Sequence, residues 1–595
     1  METKLSAKRK VTVFGEKDSL QRLLIYIVIF AIIGFVLMKI TNRLAYIGFH
    51  IMDDVQIQNL LNGSKGPSDG LCVYLNAVLG SFIAFLYRTF PELNWYGIVM
   101  AGMLLLSTSF IAAVLAQRLG GKVGFAVGFA IFPAVYLLTL LNFTYTIIAY
   151  FVLSSAFLNI AYSFFIKDKP RKLFLLISAA VFCVVAVMIR ESVIVSAVAI
   201  GAVYAFFLIL RYKKEAVRTV AVIAGVLLLS FAFTAVNSFI YKSTPVWSDF
   251  SKFNEVRTDM QDRFYPSYEE NRENFEKYGW SQNDHEMFYS HNFPDDPKFS
   301  TENLQKIDDS YNSISRYNFS ILDILGNIWA YLSDSIVLLA ALAVAFYFAL
   351  TTSKAKLLSI AVFIFPFFMQ AVFFIIQRAL VRVIFPHYVI GLVLLICLID
   401  TQVLKDRFLK KASPKKASAL RLTALILVLA STIYPFYDTF SYCLELTEQR
   451  QKPDVAELYT RQVLLYDYFY NLENDFFVYA MEPIFYNYNR SQSIFETRPL
   501  NYYINSYGLG GWTARSLPYE EFKKRADVQS LPRDLIDNDH VYFVAQDRLD
   551  TYTKYFYETY GIPVKYQVCG FVDGFFIMKI KTAQSLDEMG TQYSG

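Results

Sequence analysis

The sequence predicts a polytopic α-helical membrane protein of about 11 transmembrane helices, with further helices on the outer surface and a small extracytoplasmic α/β domain at the C-terminal end. Three observations predict it. Hydrophobic residues fill 55% of the 595 positions and aromatic residues 17%, a composition unlike that of soluble globular chains. Apolar blocks recur from residue 22 to residue 437 and then give way to polar, Tyr-rich sequence. The connections between the blocks alternate between Lys/Arg-rich and Lys/Arg-poor, as in a chain threaded back and forth through a bilayer.

The first span is expected at 22–41 (RLLIYIVIFAIIGFVLMKIT). The run is too long for a signal-peptide core and no small-residue cleavage site follows, so it reads as a retained helix. Further spans are expected near 95–115, 123–141, 145–165, 173–189, 192–210, 219–240, 328–350, 357–376, 387–403 and 420–437. One set of connections is basic: Lys8-Arg9-Lys10; Arg118 and Lys122; Lys167, Lys169, Arg171 and Lys172; Arg211, Lys213, Lys214 and Arg218; Lys354 and Lys356; and the run from Lys405 to Arg421. The positive-inside rule places this set, and the N-terminus with it, in the cytoplasm of a cell (cytoplasmic) membrane protein.

That alternation decides residues 71–90 (LCVYLNAVLGSFIAFLYRTF). Were they to cross, every later basic loop would face outward. They are therefore expected to lie at the outer surface or to re-enter, where protein satisfies the backbone. The same parity puts outside the loop 42–94, the segment 241–325, the connection Gln377–Pro386 and everything from 438 onward. The chain thus divides into a membrane domain, 1–437, and an extracytoplasmic domain, 438–595. The segment 241–325 is too long for a plain connection and is expected to form short helices that cap a cavity. Beyond 438, an amphipathic helix is expected at 453–472, strands at 476–481, 541–545, 564–568 and 574–581, and a helix at 551–560.

The net charge of +5 is modest and unevenly spread, so it speaks to topology and not to a nucleic-acid partner. Cys72, Cys183, Cys397, Cys443 and Cys569 show no metal-ligand spacing; Cys183 and Cys397 read as small buried hydrophobes. A disulfide between Cys443 and Cys569 stays open. The five histidines, His50, His285, His291, His387 and His540, are too scattered to make a zinc site. The feature that points to chemistry is Asp53-Asp54, read as lying in a solvated loop just past the outer end of the first span.

On these residues the chain resembles the GT-C fold of membrane glycosyltransferases, the group that includes protein O-mannosyltransferases, the lipid A aminoarabinose transferase and oligosaccharyltransferases. The resemblance rests on Asp53-Asp54 and the stretch NGSKGPSDGLCVYLNAVLGSFIAFLYRTFPELNWYG that follows. It extends to uncharacterised bacterial membrane proteins with the same pattern of DD, G, P-D-G, LY, P and WYG. A WWD-type motif is missing from the C-terminal part, which disfavours peptide-sequon glycosylation.

The resemblance implies a hexosyltransferase-type enzyme. It would move a sugar from a polyprenyl-phosphate donor to a cell-envelope acceptor (glycan, lipid or protein) on the outer face, with inversion, as in polysaccharide biosynthesis. Such transfer needs a base for the acceptor hydroxyl and positive charge for the departing phosphate. Asp53 or Asp54 fits the first role; neighbours on a helix point about 100° apart, so the two are not equivalent. A divalent metal on Asp53 and Asp54 stays open. Arg378 and Arg382, four apart, are the first choice for the phosphate, and Arg190 the next, unless it pairs with Glu191. Asp69, in the PSDG turn, and His285 are possible accessory residues, and Gly510-Gly511-Trp512 a possible sugar-stacking turn. Two other readings remain: a transporter or flippase of lipid-linked sugars, which predicts inverted repeats that the sequence does not show, and a non-catalytic envelope-assembly protein on the same frame.

Overall fold

The computed structural model describes residues 20–44, 47–212, 216–263, 266–312, 320–334, 336–404, 464–480, 493–511, 513–546, 549–572 and 574–584. Among these, nine helices are long and apolar enough to cross a membrane. The first is α1 (Leu20–Leu44), whose 25 residues reach about 37 Å, more than a hydrocarbon core of about 30 Å. The others are α4 (Trp95–Leu119), α5 (Gly121–Leu141), α6 (Tyr145–Ser163), α7 (Lys169–Ile189), α8 (Val193–Tyr212), α9 (Ala216–Ser243), α16 (Lys356–Ile375) and α17 (Val381–Leu398). Helix α6 is buried on all sides, at the centre of the bundle.

Two expectations need correction. The span expected at 328–350 is instead a pair, α14 (Ile321–Asp334) and α15 (Ile336–Thr352), bent by 99°. The break falls where Ser333-Asp334-Ser335 interrupts the apolar run. Before it, α14 is amphipathic: Ile321, Leu322, Leu325 and Trp329 are exposed, while the Asn327 carbonyls accept from Gln370 Nε2 at 3.0 and 3.2 Å. That pattern suits a helix in the membrane interface, not across it. The span expected at 420–437 lies outside the described residues.

Between α1 and α4 lie two short helices, α2 (Met52–Leu61) and α3 (Ala77–Thr89). Helix α3 has 13 residues, about 20 Å, too short to cross. Its Gly80 lets the backbone of Gly70 lie against the helix; a Cβ there would collide with the Gly70 carbonyl. Short helices that do not span are therefore present between the first two spans, the acid pair lying in one of them.

The water-facing part is built from two stretches distant in sequence. The first contains α10 (Pro245–Thr258), α11 (Arg272–Lys277), α12 (Gln282–Tyr289) and α13 (Thr301–Asn312). The second contains β1 (Phe476–Tyr479), β2 (Ser506–Gly508), α19 (Leu517–Ala526), α20 (Leu531–Asp537), β3 (Val541–Ala545), α21 (Leu549–Tyr560), β4 (Val564–Val572) and β5 (Phe575–Thr582); the one-turn α18 (Thr401–Leu404) precedes them. The strands form one sheet in the order β2-β1-β3-β5-β4, parallel at β2-β1-β3 and antiparallel at β3-β5-β4.

Strand alternation gives the sheet two buried faces. Phe476 and Val478 of β1 point to one, with Phe543, Ile580, the helical residues Phe253 and Phe288, and Trp280 from the turn between α11 and α12. Phe477 and Tyr479 point to the other, against Leu465, Tyr466 and Phe469. The long outer segment and the C-terminal strands thus share one core. Buried hydrogen bonds join them: Tyr552 donates to the Asn292 carbonyl at 2.9 Å and Tyr555 to the Asp296 carboxylate at 2.8 Å. The boundary expected at 437/438, and most of the helix expected at 453–472, fall outside the described residues.

Candidate active site

Helix α2 opens right after an extended residue, Ile51 (φ −129°), so both acids fall in its first turn, where the helix dipole favours carboxylates. Neither is in a solvated loop. Asp54 turns inward and is fully buried. Its Oδ1 accepts from the Tyr96 hydroxyl at 2.7 Å and the Tyr145 N–H at 2.9 Å. Burial pushes its carboxyl up to about 7, against the pull of the Tyr96 and Tyr145 hydrogen bonds. Asp53, a helical step away, faces a cavity of about 230 Å³ between the bundle and the water-facing body. Burial raises its carboxyl too, opposed first by Arg382 and then by Arg190.

Arg190, Arg378 and Arg382 line the same cavity. Arg190 follows the last residue of α7 and turns to the start of α6. Its Nη1 donates to the Tyr145 hydroxyl at 2.6 Å and the Thr146 hydroxyl at 2.7 Å, and its Nε to Ser192 at 3.0 Å. Glu191 faces elsewhere and accepts from Asn237 at 3.1 Å. Tyr145 therefore ties Asp54, through its N–H, to Arg190, through its hydroxyl. Arg378 and Arg382 do not share one helical face. Gln377 takes a left-handed φ of +56° and the Arg378 N–H closes α16 on the Phe373 carbonyl at 2.7 Å. Arg382 sits in the first turn of α17, and its buried Nε has no hydrogen-bond partner among the described residues. Arg378 reaches Asp262 at 3.3 Å.

Several lining residues carry no spacing that sequence reading detects. Arg257 and Asp262 come from the outer segment, with Arg257 Nη2 at 3.5 Å from the Asp262 carboxylate. His291 comes from the same segment, and Lys65 and Gln56 from α2 and the loop after it. Lys65 was within reach as a cation in the resembling motif; the outer pair was not.

The outer wall is a strap, residues 493–511, sewn to the membrane part by backbone bonds. The Ile494 N–H donates to the Ile47 carbonyl at 3.2 Å, the Asn501 N–H to Gly63 at 2.9 Å and the Tyr503 N–H to Ser64 at 2.7 Å. Asn94 Nδ2 bonds the Ile494 and Glu496 carbonyls, each at 2.9 Å. Gly97 lets the strap pass, since a Cβ there would strike the Ile494 carbonyl. In the run NWYG, then, Asn94 holds the strap, Tyr96 holds Asp54 and Gly97 makes room.

Two expected accessory residues stay away from the cavity. Asp69 is a turn residue, accepting from the Leu71 N–H at 2.8 Å and from Trp247 Nε1 at 2.8 Å. His285 is a core histidine, its Nε2 at 2.8 Å from the Pro266 carbonyl and its ring against Phe275. Gly510 and Gly511 line the cavity; Trp512 and Cys443 lie outside the described residues, and Cys569 is exposed. The acid pair does not fit a shared metal: Asp54 is turned from the cavity that Asp53 faces. Among the described residues no three His, Cys, Asp or Glu side chains come together to hold an ion.

Fold and site together define an integral membrane protein with a charged cavity where its apolar helices meet a body of short helices and a five-stranded sheet. No protein-family model and no curated protein matches the sequence. Among solved structures, the chain is similar to the apo form of ArnT from Cupriavidus metallidurans, at 11% identity and a TM-score of 0.38, over 96% of this chain and 99% of that one. It is also similar to ArnT from that organism bound to undecaprenyl phosphate, at 11% identity and 0.33, over 95% and 99%. The apo Archaeoglobus fulgidus oligosaccharyltransferase is similar at 14% identity and 0.43, over 91% and 71%.

Proposed function

We propose that this protein is a GT-C-type glycosyltransferase that takes a sugar from a polyprenyl-phosphate donor and passes it to a cell-envelope acceptor on the outer face of the cytoplasmic membrane, with the N-terminus inside and the strand-bearing body outside. The observation that carries the reading is the convergence of Asp53, Arg190, Arg378 and Arg382 on one cavity from four separate elements. A carboxylate set against several guanidiniums is what inverting transfer from a sugar phosphate requires.

In this reading Asp53 takes the proton of the acceptor hydroxyl as its oxygen attacks the anomeric carbon. The bond from that carbon to the phosphate oxygen breaks on the opposite side, and the phosphate leaves as an anion beside Arg382 and Arg190. Burial, which raises the Asp53 carboxyl, makes it a better base than a solvated aspartate. Asp54 does not touch the substrates; it fixes Tyr145 and, through it, Arg190. Comparing the surface glycans of a deletion strain with those of its parent tests the reading: one glycan should lose a defined sugar substituent. Identical glycans would refute it.

A further inference from the structure

The cavity carries more positive charge than one sugar phosphate uses. Five cations line it, Lys65, Arg190, Arg257, Arg378 and Arg382, against two carboxylates, Asp53 and Asp262. Arg257 and Arg378 share Asp262. Arg382 and Arg190 act on Asp53. Lys65 is left: its Nζ donates to the Gln56 side-chain oxygen, and it has no carboxylate partner among the described residues. We propose that Lys65 forms a second anion subsite, separate from the arginines around Asp53, that takes a phosphate or carboxylate group of a substrate. This rests on the cavity being the transfer site proposed above.

Geometry supports a built site. The Lys65 loop is pinned from two sides. Ser64 donates its N–H to Asn62 Oδ1 at 2.9 Å and its hydroxyl to the Asn59 carbonyl at 3.2 Å. From the strap, Asn501 and Tyr503 bond the Gly63 and Ser64 carbonyls. Gly63 and Gly66 hold φ of +76° and +113°, conformations open to glycine. The backbone that carries Lys65 is therefore held at the cavity wall. Burial lowers its affinity for the proton, to about 8, and no charged neighbour offsets this. An ammonium that faces a cavity with an amide oxygen but no carboxylate for a partner gains when an anion comes to it.

Two sources supply such an anion: the second phosphate of a diphosphate-linked donor, or an acidic group on the acceptor. Calorimetric titration of the full-length protein in detergent with inorganic phosphate tests the subsite, whether or not transfer is ever detected. Wild type should bind two phosphates. Lys65→Met should lose one and Arg382→Ala the other, while Lys65→Arg, which keeps the charge, should retain both; melting curves establish that each variant is folded. Two phosphates bound by Lys65→Met, or a single phosphate lost in both Lys65→Met and Arg382→Ala, would overturn the proposal. Pyrophosphate then identifies the source. Binding about ten-fold tighter than phosphate in wild type, and lost in Lys65→Met, assigns the anion to a diphosphate donor. No gain over phosphate assigns it to the acceptor.

Discussion

At the scale of residues, adjacent acids have opposite surroundings, and this gives them different consequences. Asp54 is buried with a carboxyl raised to about 7 from an ordinary 3.8. A raised carboxyl pKa favours the folded state where the group is protonated. Its contribution is present in full below about pH 4 and is lost as pH rises toward about 7. Melting temperatures of Asp54→Asn, which keeps an acceptor but cannot ionise, should fall less than those of wild type over that interval; parallel curves would count against this. Arg382 should behave as a fork for phosphate. Arg382→Ala should raise the apparent donor constant about ten-fold or more with little change for the acceptor, and Arg382→Lys should recover part of it. Equal donor dependence in all three proteins would remove Arg382 from the phosphate. The sequence placed Asp53, Arg190, Arg378 and Arg382 as site candidates because adjacent acids at the mouth of a many-helix bundle and arginines suited to phosphate fit sugar transfer, although arginines beside spans also serve as interfacial anchors. It could not separate Asp53 from Asp54, since the helix phase of α2 depends on its first residue.

At the scale of elements, the strap is what turns an open groove into a cavity. Gly97→Ala should push the Ile494 carbonyl away and loosen the strap. A loss of roughly 1–3 kcal/mol is expected, as for other overpacked contacts, together with faster proteolysis near 493–511. Unchanged stability and cleavage would show that the strap is held elsewhere. Long apolar elements such as α1, α4 and α6 were legible because composition alone fixes them. The α14–α15 bend was not, because an amphipathic turn ahead of an apolar run has the mean hydropathy of one span. Strand β2 was hidden for another reason: Ser506-Tyr507-Gly508 has no strand pattern and is a strand only because β1 pairs with it. The outer wall of the site comes from pairings across about four hundred residues, such as Asn94 to Ile494, which no local pattern encodes.

At the scale of the whole molecule, a membrane bundle meets a body made of residues near 250–310 and 464–584, with the cavity at their junction. Charge parity predicts the sides. Single cysteines at Lys169, on a basic connection, and at Leu500, which is 65% exposed on the strap, should label from opposite faces when the other cysteines are replaced. Labelling from the same face would contradict the topology. The central claim is that Asp53 is the base of a sugar transfer. The most direct measurement is the surface glycan of a deletion strain that expresses Asp53→Asn at normal level. Loss of a catalytic base lowers a rate by roughly 10²–10⁴-fold, so the sugar missing in the deletion strain should stay missing with Asp53→Asn and return with wild type. Full restoration by folded Asp53→Asn would contradict it.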